Sequence, residues 1–407
     1  MRSILKKEMQ VCILVYFLAI MFNIVYALPS FAIVELNTKY KTAESSVKTS
    51  APVFNFTSGA QVLMEASTGK IIYANNENDR LFPASVTKVM TLLLIMEKID
   101  TGALKYTDVV TCSKQASLMG GSQIWFKEGE TLTVDEALKC IAVVSANDVS
   151  FAMAELIGGS HENFVNMMNN KAKELGMENT NFMNAHGIDE EGHYTSAKDI
   201  AIMSRELINK HPDILKYTTI WQDTIRNGEF TLSSTNKLLK TYNGLTGLKT
   251  GSTSTAMFNL SATATRDGLT FIAVVMKGPS SAIRNEEITT LLNYGFANYS
   301  VERLSTKNDI IDRVKVNKKL DKEYTVVTEL DKSILKTKGE TLELRKVVEI
   351  NKNLTAPITK GTTVGSIKWV DKNNEIIAET NLIIDEEIKR SKFGEYIKKT
   401  IEKYVFL

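Results

Sequence analysis

Pro83-Ala-Ser85-Val-Thr-Lys88 opens directly into Val89-Met-Thr-Leu-Leu-Leu-Ile-Met96, a run that is apolar on nearly every side of a helix. Such a helix belongs inside a protein, so whatever stands at its start is drawn into the interior with it. Pro suits helix starts, because the N–H it lacks has no intrahelical partner there. The pattern puts Ser85 in the first turn of a buried helix and Lys88, at i+3, on the same face. Ser-x-x-Lys also occurs at Ser3, Ser45, Ser67, Ser234 and Ser333. Ser3 precedes an apolar leader, Ser45 lies in a polar tract, and Ser67-Thr-Gly-Lys70 reads as a hairpin turn. An isolated serine at a helix start reads as an N-cap. Two downstream segments change that reading.

The first is Ser145-Ala-Asn147, which follows the apolar helical stretch from Glu136 to Val144. The second is Lys249-Thr-Gly251. An alternating run follows it (Met257 to Thr265), then an Arg266-Asp-Gly268 turn and an apolar return from Leu269 to Met276, so Lys249 lies on a strand feeding a hairpin. Taken singly, Ser145 and Asn147 are helix-end caps and Lys249 an exposed edge lysine. In this order the three segments form an established signature of a serine acylated without histidine. A serine hydroxyl is a weak nucleophile until a base removes its proton. Lysine is that base only if its pKa falls from about 10.4 toward neutrality, through burial and nearby positive potential. The apolar helix, its start and the second cation Lys249 all act on Lys88 in that sense. The N–H groups of Ser85 and Ser252 suit an oxyanion hole. Ser145 is suited to pass a proton between Lys88 and a leaving amine, and Asn147 to hold Lys88 and a substrate amide. Lys249 and Thr250 suit a substrate carboxylate, and Gly251 lets a ligand backbone approach closely.

Composition narrows the field. The chain has 407 residues, 43% of them hydrophobic, and a net charge of +2, so it is globular and has room for two domains. No basic patch argues for nucleic acid. The four histidines, His161, His186, His193 and His211, and the cysteines show no zinc-ligand spacing, so no metal is expected. His186 and His193 read as loop-shaping residues. Cys112 and Cys140 are able to pair, but two cysteines make no disulfide framework, and Cys140, on an apolar helix, reads as a buried thiol.

Further blocks carry a family resemblance. Gln61 to Asn75, Leu81 to Thr91, Ser145-Ala-Asn-Asp148, His186-Gly-Ile188 and His193-Tyr-Thr-Ser-Ala197 with Asp199 join the three motifs over about residues 55–300. This stretch resembles the low-molecular-mass penicillin-binding proteins, the serine D-alanyl-D-alanine carboxypeptidases. The resemblance implies an α/β fold of the β-lactamase/DD-peptidase kind: an antiparallel sheet flanked by helices, with an all-helical subdomain. It implies Ser85 as nucleophile, Lys88 as acylation base, Ser145 and Asn147 as partners, and Lys249 with Thr250 as carboxylate holders. It adds Arg284, in Gly278-Pro-Ser-Ser-Ala-Ile-Arg284, as a further carboxylate contact. The implied substrate is a peptidoglycan stem peptide, with β-lactam antibiotics as covalent ligands and no cofactor. Some relatives carry His or an aromatic where this chain has Ser252, which bears on deacylation. Two other readings stay open: a serine β-lactamase, and a catalytically lapsed wall-binding scaffold. Glu162-Asn-Phe-Val-Asn166 has the glutamate pattern of one β-lactamase class, but sits on a helical stretch close after Ser145 and reads as coincidence.

The chain divides accordingly. Residues 1–27 read as a secretory signal, with Lys6 and Lys7 before an apolar run from Val11 to Phe22 and small-residue cleavage sites near Ala27 or Ala32; a retained anchor is the alternative. The chain is thus expected outside the bacterial cytoplasmic membrane. Residues 28–54 read as a polar tether, 55–303 as the catalytic domain, and 304–385, rich in short β-like runs such as Tyr324–Thr328, Ser366–Val370, Glu375–Ala378 and Asn381–Ile384, as a small C-terminal β-sandwich. Residues 386–407 read as an amphipathic helix. Phe393, Tyr396, Ile397, Ile401, Tyr404 and Val405 form one stripe, and six Lys/Arg outweigh two Glu from residue 389 on. That is the profile of a helix lying on a membrane surface, with packing on the β-domain as the alternative.

Overall fold

A computed structural model describes residues 53–320 and 322–405. The leader (1–27) and the tether up to residue 52 lie outside the described residues. In chain order the strands are β1 (Ala60–Glu65), β2 (Ile71–Asn75), β3 (Val109–Thr111), β4 (Thr131–Thr133), β5 (Gln222–Ile225), β6 (Phe230–Ser233), β7 (Leu245–Thr253), β8 (Met257–Arg266) and β9 (Leu269–Gly278). Then come β10 (Tyr299–Ser305), β11 (Ile310–Lys315), β12 (Glu323–Thr328), β13 (Lys332–Thr337), β14 (Arg345–Ile350), β15 (Thr362–Val370) and β16 (Ile376–Ile384). The main helices are α1 (Lys88–Asp100), α2 (Val134–Lys139), α3 (Asn147–Gly158), α4 (His161–Glu174), α5 (Ala197–Lys210), α6 (Ser281–Asn298) and α7 (Phe393–Val405).

The first sheet has the order β2-β1-β9-β8-β7, with antiparallel neighbours throughout. Strand β9 shows why its sequence is one unbroken apolar run. Phe271, Ala273 and Val275 pack under α6 with Ile288, Leu291 and Leu292. The alternate residues Ile272, Val274 and Met276 face the other way, into the larger core shared by α1, α3 and α5. A strand covered on both faces loses its polar alternation. Helix α1 sits inside that larger core, with Lys88 through Met96 all buried. Around it the helices α2 to α5 make the helical layer, so the α/β architecture implied by the resemblance is the one observed.

The C-terminal part is all-β: a five-stranded sheet in the order β11-β12-β16-β15-β14, and a two-stranded ribbon of β10 with β13. Ile334 of β13 joins Val326, Ile367 and Leu382 of the larger sheet in one core. Four findings adjust the expected boundaries. Phe54 is not tether: it stacks on Phe56 at 4.8 Å and meets Tyr73 and Tyr294 edge-on. β10 begins at Tyr299, so the ribbon starts before residue 304. The runs Glu375–Ala378 and Asn381–Ile384 form one strand, β16, because Glu379 is its solvent face rather than a break. Finally, residues 386–392 are not helical. Ile388 is buried in the β-core and exchanges both backbone bonds with Ile358, and α7 begins only at Phe393.

Candidate active site

Ser85 lies in a 3₁₀ turn, Ala84–Thr87, that leads straight into α1. It is not an N-cap, since neither helix start has a side-chain cap bond. The turn brings the Lys88 Nζ to 3.1 Å from the Ser85 Oγ. Lys88 is completely buried, and its amine also lies 2.6 Å from the Asn147 Oδ1 and 2.5 Å from the His186 carbonyl oxygen. Burial first, and the charge of Lys249 second, hold the Lys88 pKa well below its ordinary value, with Asp148 opposing them. A neutral amine has two N–H donors and one lone pair. The Asn147 Oδ1 and the His186 carbonyl only accept, so they consume both donors. In that form the lone pair is left to face the Ser85 hydroxyl. The geometry thus sets a buried amine against the Ser85 oxygen.

Asn147 begins α3, immediately after a π-helical turn (Cys140–Val144) that ends at Ser145 in the left-handed conformation, φ 66°. This sharp exit lifts Ser145 into the cleft and turns Asn147 under it. The Asn147 Nδ2 donates to the Gly120 carbonyl at 2.7 Å, which fixes the amide with its oxygen toward Lys88. The Ser145 Oγ is buried and has no hydrogen-bond partner. An unpaired buried hydroxyl is unusual, and here it faces the space beside the nucleophile.

The third wall is β7, the edge strand. A Cβ on Gly251 would stand 2.9 Å from the Ser85 nitrogen and 2.8 Å from the Val86 nitrogen, so only glycine lets this strand lie against the nucleophile turn. The Asn259 Nδ2 on β8 donates to the Phe82 and Pro83 carbonyls, at 2.9 and 3.0 Å, and pins the same turn. Lys249 is no exposed edge lysine. It is 1% exposed, and its amine donates to the Thr250 carbonyl. Burial and the neighbouring Arg284 push its pKa down to about 7.

These walls enclose a cleft of about 200 Å³ lined by Ser85, Ser122, Ser145, Thr235, Lys237, Thr250, Gly251, Ser252, Phe258, Ser281, Arg284 and Asn285. A larger, more open depression of about 910 Å³ lies on the β-domain between β14 and β15, but no base stands beside a nucleophile there. Of the residues expected from sequence, Ser85, Ser145, Thr250, Gly251, Ser252 and Arg284 line the cleft. Lys88, Asn147 and Lys249 are buried and do not line it. Sequence reasoning missed Ser122, Thr235 and Lys237; the Thr235 hydroxyl meets that of Thr250 at 2.6 Å. No acidic side chain lines the cleft, and Glu162 is exposed on α4. None of the four histidines bonds Ser85: His193 bonds Thr87, and His211 pairs with Asp100. Cys112 and Cys140 are both free and buried.

Comparison with known proteins places these features. Residues 45–280 match the family described as D-alanyl-D-alanine carboxypeptidase, and residues 299–390 match the penicillin-binding protein 5, C-terminal domain. The chain is 43% identical over 344 residues to D-alanyl-D-alanine carboxypeptidase DacF of Bacillus subtilis, covering 84% of this chain and 88% of that one. It is 31% identical over 345 residues to D-alanyl-D-alanine carboxypeptidase DacC of Escherichia coli, covering 82% and 85%. Among solved structures, penicillin-binding protein 5 from Haemophilus influenzae superposes with a TM-score of 0.69 at 30% identity, covering 83% of this chain and 99% of that one.

Proposed function

The chain belongs to the D-alanyl-D-alanine carboxypeptidase family, and from that premise we propose how its residues divide the work. It is a serine hydrolase that removes the terminal D-alanine of peptidoglycan stem peptides through an acyl-serine, and it binds penicillin covalently. In our reading the Ser85 Oγ attacks the carbonyl carbon of the D-Ala-D-Ala bond while its proton passes to the Lys88 Nζ. The Ser85 and Ser252 N–H groups hold the oxyanion. The tetrahedral adduct then expels D-alanine, whose amine takes the proton from Lys88 by way of Ser145. Water cleaves the ester and returns Ser85. Arg284 and Thr250 receive the substrate carboxylate at the cleft wall. Lys249 supports them from behind and, after burial, helps to hold the Lys88 pKa down. The observation that carries this reading is the contact of a fully buried lysine amine with the Ser85 oxygen, its two N–H groups already spent on other acceptors.

The rest of the division follows. The part up to Asn298 carries the chemistry, and the C-terminal β-part from Tyr299 on serves as spacer. Helix α7 lies on the membrane surface: Phe393, Ile397 and Ile401 are exposed along one stripe, and such a stripe beside lysines partitions into an anionic interface. No described helix is long and apolar enough to cross a membrane. With export by the leader, the enzyme works on the outer face of that membrane. Ending the chain after Lys392 should release it from anionic vesicles, and undiminished binding would remove this part of the reading.

The deciding experiment for the chemistry measures D-alanine release from a pentapeptide beside the lifetime of the penicilloyl-enzyme. Release with a long-lived adduct is expected. Rapid penicillin turnover without release would overturn the peptidase reading in favour of a β-lactamase.

A further inference from the structure

The loop from Asn184 to His193 touches the nucleophile turn at two consecutive residues. At one end the His186 carbonyl accepts from the Lys88 Nζ. At the other the His193 ring meets Thr87. His193 is 1% exposed, and its two nitrogens have distinct roles. The Nδ1 accepts from the Met183 backbone N–H at 2.9 Å. In a neutral ring the other nitrogen then carries the hydrogen, so the Nε2–H donates to the Thr87 Oγ1 at 2.8 Å. The Thr87 hydroxyl passes its own hydrogen on, donating to the Ala84 carbonyl at 2.8 Å. Ala84 stands directly before Ser85 and has φ +48°, a left-handed conformation that a residue with a Cβ rarely adopts. The same loop packs Gly187 (φ +89°) so tightly here that a Cβ would collide with the Ala84 carbonyl and lie 2.9 Å from the Thr87 Oγ1.

We propose that His193 is a positioning residue for acylation: its Nε2–H orients the Thr87 hydroxyl, which holds the strained Ala84 carbonyl and so aims the Ser85 oxygen at Lys88. Strain before a nucleophile persists only when the surroundings over-determine it, and this chain of two hydrogen bonds is the restraint. Burial keeps the ring neutral, down to a pKa of about 4, so the donor stays in place through the ordinary working range. The inference rests on the assignment of Ser85 as nucleophile.

The test separates the two ring nitrogens. An Asn side chain places an acceptor near the Nδ1 position but has no donor at Nε2. A Gln side chain places a donor near Nε2. His193→Asn should slow penicillin acylation by roughly 10- to 100-fold with the dissociation constant of the pre-covalent complex unchanged, and His193→Gln should restore the rate to within about threefold. Should His193→Asn fold poorly, Thr87→Val removes the same restraint with little change of volume and should reproduce the slow acylation. Equal rates in the Asn and Gln variants, or normal acylation in Thr87→Val, would overturn the proposal. Peptide mapping of the adduct keeps the two ideas apart: a slow variant labelled at Ser85 supports both, whereas labelling elsewhere in the wild type defeats the nucleophile assignment itself.

Discussion

Between Ala60 and Asn298 the buried polar residues include Glu65, Lys88, Asp148, Asp199, Lys249, Arg284 and Glu287, whereas among the described residues between Tyr299 and Ser391 they are Ser305, Thr328, Thr380 and Ser391, with no charged side chain among them. The β-part keeps its ion pairs at the surface, for example Lys368 with Glu349 at 2.9 Å. The catalytic part also holds Ala84 and Ser145 at positive φ on either side of the cleft. Burying a charge is expensive unless it is paired or neutralised. Two buried lysines and an arginine around one cleft mark that cleft as the candidate site. The contrast is one of buried charge: one region desolvates it around a cleft, whereas the other builds an apolar core and keeps its ion pairs at the surface.

Breaking the comparison starts with the nucleophile. Ser85→Ala should abolish both penicillin labelling and D-alanine release while the unfolding midpoint stays near that of the wild type; surviving label at that site would refute the assignment. Next in size is Lys249→Met, which removes the positive charge acting on Lys88. The Lys88 pKa should rise, the acid limb of acylation should move to higher pH, and the rate just above the wild-type limb should fall by about tenfold. A limb that stays put would mean that burial alone sets the Lys88 pKa.

A third prediction concerns stability. Burial depresses His193 to about 4 and His186 to about 3, against about 6.5 in an unfolded chain. As pH falls through 6.5 the unfolded state takes up these protons first, so stability declines toward pH 4, at up to ~1.4 kcal/mol per pH unit for each such ring. Chemical unfolding at a series of pH values should show this slope, and His193→Gln should flatten it. An identical slope in the variant would contradict the depressed pKa. The smallest effect is expected in the β-part. Lys368→Ala loses an exposed pair and should leave both the acylation rate and the unfolding midpoint unchanged within error.

Much of this was legible in the residues. Pro83 and the apolar run after Lys88 gave α1 and its buried start, and the unbroken run from Leu269 gave β9. The walls that side chains build were therefore found. What the sequence hid is backbone. The carbonyls of His186 and Gly120, which orient Lys88 and Asn147, have no residue-type signature, because every residue carries a carbonyl. Ser122, Thr235 and Lys237 reach the cleft through tertiary packing that no local pattern encodes. The misplaced start of α7 has a similar origin: Ile388, a single apolar residue among charges, reads alike in strand and helix, and only its pairing with Ile358 decides.

The central claim is that a neutral Lys88 takes the proton of Ser85. Stopped-flow acylation by a fluorescent penicillin, followed against pH in the wild type and in Lys88→Ala, tests it most directly. The account predicts a wild-type rate that falls on the acid side as Lys88, its pKa held well below the ordinary value, becomes protonated. It predicts a rate in Lys88→Ala lower by about 10² to 10⁴ with that limb gone. A variant that acylates at the wild-type rate, or retains the same acid limb, would contradict it.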